Sequence, residues 1–309
     1  MSHRPICIIG NANLDLVCGP LDDWPERGTE TFLPRSDLRI GGSAANTALV
    51  LQRLGARGGL VSAAGADAAG RMLAARFQGT LDRVAVIEAP TSVTVGLLHP
   101  DAERTFLSTD GHLDLLDLGF FLSQLEDWSV EGALVLVSGA FAMPGLLKDH
   151  MELLSVLKEA GAEVAIDPGW PGTDWAEDVR EQALEWIALA DHVLMNDKEA
   201  LGLARAGDLD AACAFFDAEL AAGRRLVIKC GKNGALALSG GTAVSASARP
   251  LTVFDTVGAG DAFNAGYLEA VARGLALVPA LKAGVAVAGR VIAEFPRTSL
   301  PIALEAGEG

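Results

Sequence analysis

Asp255-Thr256-Val257-Gly258-Ala259-Gly260-Asp261, running into the small-residue stretch Ala262 to Arg273, is the segment on which the reading of this chain turns. Glycines just ahead of a helix let several backbone N–H groups point at one anion, and the helix dipole adds to the attraction. An aspartate at the helix start can take a proton from an attacking hydroxyl a few ångströms away. Phosphoryl transfer needs little beyond positioning, charge neutralisation and such a base. A Gly-rich turn with an aspartate N-cap would account for part of the string. Acids at both ends of the glycines are what point to phosphate chemistry.

Upstream of this segment the chain alternates short apolar runs with amphipathic stretches. Pro5 to Gly10, Ala133 to Val137, Glu163 to Asp167, His192 to Met195 and Leu226 to Cys230 read as buried strands. Helical patterns cover Ala44 to Leu54, Leu146 to Ala160, Ala176 to Ala190, Leu209 to Ala222 and Gly260 to Arg273. Such alternation implies βαβ units and a mostly parallel central sheet with helices on both faces. Ligands of such sheets bind beyond the carboxyl ends of the strands, so residues just after each run matter most. Glu30 to Ile40 and Thr91 to Ser108 break the rhythm with polar-apolar alternation and turn residues. They read as antiparallel strands, either a small flap over the site or hairpins on the edge of the main sheet. Leu304 to Gly309 reads as a frayed acidic tail.

Composition narrows the function. The 309 residues are half hydrophobic and carry 24 basic against 40 acidic side chains, a net charge of -16. A nucleic-acid binder needs a basic footprint, and this chain carries the opposite field. An anionic substrate must then be met by local devices such as helix N-termini and metal ions. Cys7, Cys18, Cys213 and Cys230 show no Cys-x-x-Cys spacing and read as reduced thiols of a cytoplasmic protein. The N-terminus has no signal-peptide pattern, and no apolar run approaches the ~20 residues of a membrane span. Gly65 to Gly70 lacks the lysine and Ser/Thr of a P-loop. The five histidines form no zinc spacing.

Four further stretches carry chemistry. Gly41-Gly42-Ser43-Ala44-Ala45-Asn46 opens a helix; the glycines suit close approach of a ligand, and the Asn46 amide can both donate to and accept from hydroxyls. Alternation puts Asn11, Asn13 and Asp15 on one side of an extended chain, a polar edge that suits a polyol or an Asx-stabilised turn. Asn196-Asp197-Lys198-Glu199 follows a strand and would also serve as a helix N-cap with acids in its first turn. Lys229-Cys230-Gly231-Lys232-Asn233-Gly234 ends another strand with a good turn dipeptide.

The segment Asp255 to Asp261 resembles the signature of the ribokinase-like (PfkB) carbohydrate kinases, and Gly41 to Asn46 resembles their second motif, in the expected order. The resemblance implies an α/β, ribokinase-like fold: one domain over 1–309 with a small β-sheet lid formed by insertions at about 30–42 and 91–109. It implies ATP-dependent phosphorylation of a sugar-like hydroxyl, with Asp261 as base and the N–H groups of Gly258, Ala259 and Gly260 as anion hole. Asn13, Asp15, Gly42, Ser43 and Asn46 would hold the acceptor. Asn196, Lys229 and Gly231, with Gly258 and Gly260, would meet ATP, and Asn196 and Glu199 would organise Mg²⁺ partly through water. Asp255 would sit at a potassium site, and the lid would pair two copies into a homodimer.

The sequence also departs from that family. Ser138 to Met143 is mostly apolar where many members place a polar substrate contact, which argues against ribose. Pro168-Gly169-Trp170 stands where an Asn and a basic residue are common, which argues against a phosphorylated sugar. Phe295 to Ser299 matches only loosely the segment that helps bind potassium. Two rivals stand beside a sugar kinase. A nucleoside kinase would use the same scaffold with a flatter, more aromatic pocket. A non-catalytic sugar sensor would have lost the base or the phosphate loop, both of which this chain keeps.

Overall fold

The fully apolar run Ile6–Gly10 becomes a central strand because both its faces are covered: Ile6 and Ile8 pack into one core, Cys7 and Ile9 into another. The computed structural model describes residues 3–100, 104–172, 174–219, 223–294 and 298–304. Its strands are β1 (Ile6–Gly10), β2 (Asn13–Gly19), β3 (Arg35–Gly41), β4 (Gly58–Gly65), β5 (Arg83–Ile87), β6 (Val93–Leu98) and β7 (Arg104–Ser108). After these come β8 (Leu134–Ser138), β9 (Glu163–Asp167), β10 (His192–Asn196), β11 (Arg225–Lys229), β12 (Ala235–Ser239) and β13 (Thr242–Ala246).

Nine of them form one sheet in the order β13-β12-β11-β10-β9-β8-β1-β4-β5. It is parallel from β11 to β5, and β12 and β13 add an antiparallel edge. The helices Ser43–Arg53, Ala259–Ala272 and Leu277–Ile292 pack on the face of Ile6 and Ile8. Phe121 of Leu118–Leu125 and the buried residues of His150–Glu159 and Glu177–Leu189 cover the other.

The helix expected over Leu146 to Ala160 is two, Pro144–Leu147 and His150–Glu159, with Lys148 and Asp149 between them. That expected over Leu209 to Ala222 is seen as Leu209–Glu219, its last three residues lying outside the described ones. Residues 305–309 of the acidic tail also lie outside them.

The two segments that broke the rhythm do lie in a separate sheet, in the order β3-β2-β6-β7, but one of its inner strands, β2, comes from neither of them, and 101–103 of the second lie outside the described residues. One detail corrects the expectation of antiparallel strands. The centre of this sheet is β2, which pairs antiparallel with β3 but parallel with β6. The chain passes through β4 and β5 of the main sheet before returning, so β6 re-enters in the direction of β2. The four cysteines are free thiols. Among the described residues no helix is long and apolar enough to cross a membrane.

Candidate active site

The sequence forces the helix Ala259–Ala272 to begin at a glycine. Gly258 caps it with a left-handed backbone (φ +75°), which side-chain-bearing residues seldom adopt. Residues Ala262 to Ala272 of this helix are all buried. The small residues among them let the neighbouring helix close in, with a methyl on Gly266 reaching 2.8 Å from the carbonyl of Ala283. The start of the helix is therefore fixed. The N–H of Ala259 is already spent on the carbonyl of Thr256 (3.1 Å), whereas those of Gly258 and Gly260 meet no backbone acceptor among the described residues.

Asp261 lies in the first turn of this helix. Its Oδ2 accepts a hydrogen bond from Asn46 Nδ2 at 3.0 Å, and its carbonyl accepts one from Thr47 Oγ1 at 3.3 Å. Two motifs 215 residues apart thus meet at one carboxylate. Gly42, in a positive-φ conformation (+91°), caps the helix that carries Asn46 and lies against the backbone of Asn11. Ser43 Oγ donates to Asn11 Oδ1 at 2.9 Å.

Asn13 and Asp15 are buried at the root of the small sheet, and Asn13 Nδ2 donates to Asp15 Oδ1 at 2.8 Å. Side-chain alternation together with the register puts Asp15, its partner Arg39 on β3 and its partner Thr94 on β6 on one face. Asn13 also reaches Thr94 Oγ1 at 3.2 Å. A methyl on Gly41 would collide with the Asp15 carboxylate, which is why a glycine stands there.

Asp167, Asn196 and Lys229 end β9, β10 and β11, all at the carboxyl edge of the main sheet. Lys229 Nζ donates to Asp167 Oδ2 at 2.7 Å, and Asn264 Nδ2 donates to the same oxygen at 2.6 Å. A methyl on Gly260 would lie 3.4 Å from Lys229 Nζ, so the ammonium stands beside the glycine loop. Burial pulls the Lys229 pKa down, but the carboxylates of Asp167 and Glu199 outweigh it and the group is held charged.

Glu199 is buried and forms a capping box with Asn196: Asn196 N–H donates to Glu199 Oε2 (2.7 Å) and Glu199 N–H to Asn196 Oδ1 (2.8 Å). Burial, then repulsion from Asp167, pushes its pKa up to about 7, against the attraction of Lys229. Both halves of the Asn196–Glu199 pair are thus engaged with each other. Among the described residues no three carboxylate, His or Cys groups form a metal cage. This donor set fits a hydrated Mg²⁺ that takes most of its ligands from water and phosphate.

Asp255 is engaged as well. Its Oδ1 accepts the N–H of Val257 (2.9 Å), and its Oδ2 takes Arg39 Nη1 at 2.6 Å. Gly231 stands apart from these contacts, exposed in the turn between β11 and β12. Phe295, Pro296 and Arg297 of the C-terminal loop lie outside the described residues.

The sequence reading passed over four residues of this cluster: Arg39, Thr94, Asp167 and Asn264. Asp167 had a usable signal, because it ends a buried strand. Arg39 and Thr94 had none until the register of the small sheet was known.

The family model described as pfkB family carbohydrate kinase matches residues 4–301. A fructokinase of Klebsiella pneumoniae is 30% identical over 256 residues, 78% of this chain and 81% of the relative. A nucleoside kinase of Methanothermobacter thermautotrophicus is 25% identical over 309 residues, 96% of this chain and 93% of its own length. Among solved structures, adenosine kinase from Sinorhizobium meliloti superposes with a TM-score of 0.80 at 24% identity, covering 96% of each chain. A fructokinase double mutant from Vibrio cholerae O395, in a form that binds fructose, ADP and potassium, superposes at 0.77 with 20% identity and covers 97% and 96%.

Proposed function

The chain belongs to the pfkB family of carbohydrate kinases, and from that premise we propose that it transfers the γ-phosphoryl group of ATP to a hydroxyl of a small sugar-like molecule. The observation that carries this reading is the meeting of Asp261, Asn46 and the Gly258–Gly260 loop at one helix start. The acceptor hydroxyl would lie between Asp261 and the polar root of the lid, bounded by Asn13, Asp15, Gly42, Ser43 and Asn46. Asp261 takes the proton of that hydroxyl as it attacks. The amides of Gly258 and Gly260, which meet no backbone acceptor among the described residues, face the charge on the transferring group. The Ala259 amide joins them by releasing Thr256.

Lys229, charged and beside the loop, meets the phosphates of ATP, and Gly231 leaves room for the nucleoside at the rim. Bound Mg²⁺ would neutralise phosphate charge, with Asn196 and Glu199 orienting its waters. Residues 1–309 work as one unit, with the small sheet as the lid that excludes water when acceptor binds. The lid also pairs two copies into a homodimer, and the reaction belongs to the cytoplasm.

A second acceptor class, a nucleoside, has one specific observation in its favour. Phe106 pairs with Gly96 in the small sheet, so it stands on the same face as Asp15, half exposed and able to stack on a flat base. The test is ADP release with Mg-ATP across sugars, sugar acids and nucleosides. Substrate-dependent release names the acceptor class; silence across the whole panel would remove support for the kinase reading.

A further inference from the structure

Two of the carboxylates around the glycine loop have a visible counter-charge: Asp167 in Lys229 and Asp255 in Arg39. At Asp255 that counter-charge comes from the lid. Arg39 sits on β3, and its guanidinium spans from the small sheet to the loop at 2.6 Å from Asp255 Oδ2. The pair is well shielded, with side-chain exposures of 14% for Arg39 and 7% for Asp255. Asp37, two residues back on the same strand, also accepts from Arg39 Nη1, at 3.3 Å. The second terminal nitrogen, Arg39 Nη2, is buried with no hydrogen-bond partner, a costly arrangement for a charged donor unless something else uses it.

Potassium fits poorly here. A related fructokinase is known in a potassium-bound form, and the resemblance put such an ion at Asp255. In this chain both oxygens of that carboxylate are engaged, one by Val257 N–H and one by Arg39. A monovalent cation against the same carboxylate would face the guanidinium at close range and be repelled by it. Arginine is also a fixed charge, since it keeps its proton at any pH a protein meets.

From this geometry we infer that Arg39 is a built-in replacement for the monovalent cation: its guanidinium supplies the positive charge behind the glycine loop, and the protein is independent of potassium. This rests on the kinase reading for its functional consequence but not for its binding consequence. Arg39 is a positioning residue, acting through Asp255 and the Val257 amide on the loop that carries Gly258 and Gly260. Because the charge is carried by β3, it reaches the loop only when the lid strand is in place. An ion from solution would impose no such condition. The buried Nη2 has no partner of its own and can take an oxygen of the bound acceptor or phosphate without breaking the pair.

The test compares the full chain with Arg39→Met and Arg39→Lys, in potassium chloride and in tetramethylammonium chloride at equal ionic strength. Two readouts are taken: the thermal midpoint without substrates, and ADP release with Mg-ATP and the best acceptor. For the unmodified chain the midpoint and the rate should be the same in both salts. Arg39→Met should become salt-specific, with potassium raising its midpoint by about 2 °C or more and restoring part of a lost rate. Arg39→Lys should stay indifferent to potassium.

A potassium-dependent midpoint in the unmodified chain would overturn the inference, since it means an ion binds despite Arg39. Indifference of both the unmodified chain and Arg39→Met would also overturn it, leaving Arg39 as a structural tie only. If Arg39→Met does not fold, Arg39→Gln, which removes the charge but keeps a hydrogen-bonding end, is read in the same two salts with the same outcomes. Absence of ADP release from every variant would count against the kinase reading, while the midpoints would still report on the ion.

Discussion

Asp261 gains its proposed role from what surrounds it rather than from being an acid. It is one of several carboxylates at the carboxyl edge, but Asp167 is committed to Lys229 and Asn264, and Asp255 to Arg39. Asp261 sits in the first turn beside the glycine amides, with Asn46 orienting one oxygen. Asp261→Asn keeps the shape and the contact to Asn46 but cannot accept a proton. Turnover should fall by about 10²–10⁴-fold, with the thermal midpoint nearly unchanged. Retention of the full rate in a steady-state ADP assay would show that another group is the base. Lys229→Met makes a contrasting case. It leaves Asp167 buried without its cation, so the loss should fall on stability first, by about 3–5 kcal/mol in urea denaturation. A variant as stable as the parent would mean that Asn264 alone satisfies Asp167.

Asp67 shows at the scale of elements how the small sheet is tied to the main sheet. It caps the helix Ala68–Ala74 by accepting from Gly70 N–H (2.7 Å) and also takes both Thr91 N–H (2.8 Å) and Thr91 Oγ1 (2.6 Å) at the root of β6. The Thr91 hydroxyl and amide, then the Gly70 amide, hold its pKa down at about 2 against a usual 3.8. A depressed carboxylate adds stability that is fully present above its unfolded value and is lost as pH falls through the folded one. Asp67→Ala should therefore cost about 1 kcal/mol near neutral pH, and the gap to the parent should shrink as pH drops below about 4. Urea titrations at the two pH values check this, and a gap that stays constant would mean the charge is not what matters.

The same scale explains what the sequence could and could not reveal. β1, β8, β9, β10 and β11 were readable because both faces are buried and every position is apolar or nearly so. β4, with the sequence GGLVSAAG, is just as buried, but its small residues give little hydropathic contrast. The helix Leu277–Ile292 carries a proline and two glycines that hide its period, yet its small residues are what allow close packing on Ala259–Ala272. Asn11, Asn13 and Asp15 read as a polar edge suited to a polyol or a turn, whereas β2 is a full strand in which Asn13 and Asp15 alternate with Leu14 and Leu16. That alternation is the two-faced pattern of a lid strand. Local motifs fixed where phosphate chemistry should be sought. The Arg39–Asp255 pair joins positions 216 apart and could emerge only from the fold.

At the scale of the whole molecule, the small sheet leaves an aligned apolar row uncovered. Register across the small sheet lines up Leu38 on β3, Leu16 on β2, Val95 on β6 and Leu107 on β7. This row lies on the face away from Asp15 and Arg39, and Leu38 and Leu107 at its ends are about half exposed (54% and 52%). Four aligned apolar side chains on a narrow sheet are a poor surface to leave in water and a good one to cover with a second copy. An isologous pairing would place like rows against each other through a two-fold axis. It would also steady β3, and with it the Arg39 that reaches the loop. The proposed homodimer makes a direct prediction: sedimentation velocity should give twice the 32.0 kDa chain mass at micromolar concentration. The pair Leu38→Glu and Leu107→Glu should shift it to monomer while leaving the main sheet folded, because neither residue contributes to the two buried cores. Lid dynamics should respond too, so the monomeric variant should show a raised KM for the acceptor more than a changed turnover. A parent chain that sediments as a monomer would remove the lid pairing and leave that row to a different partner.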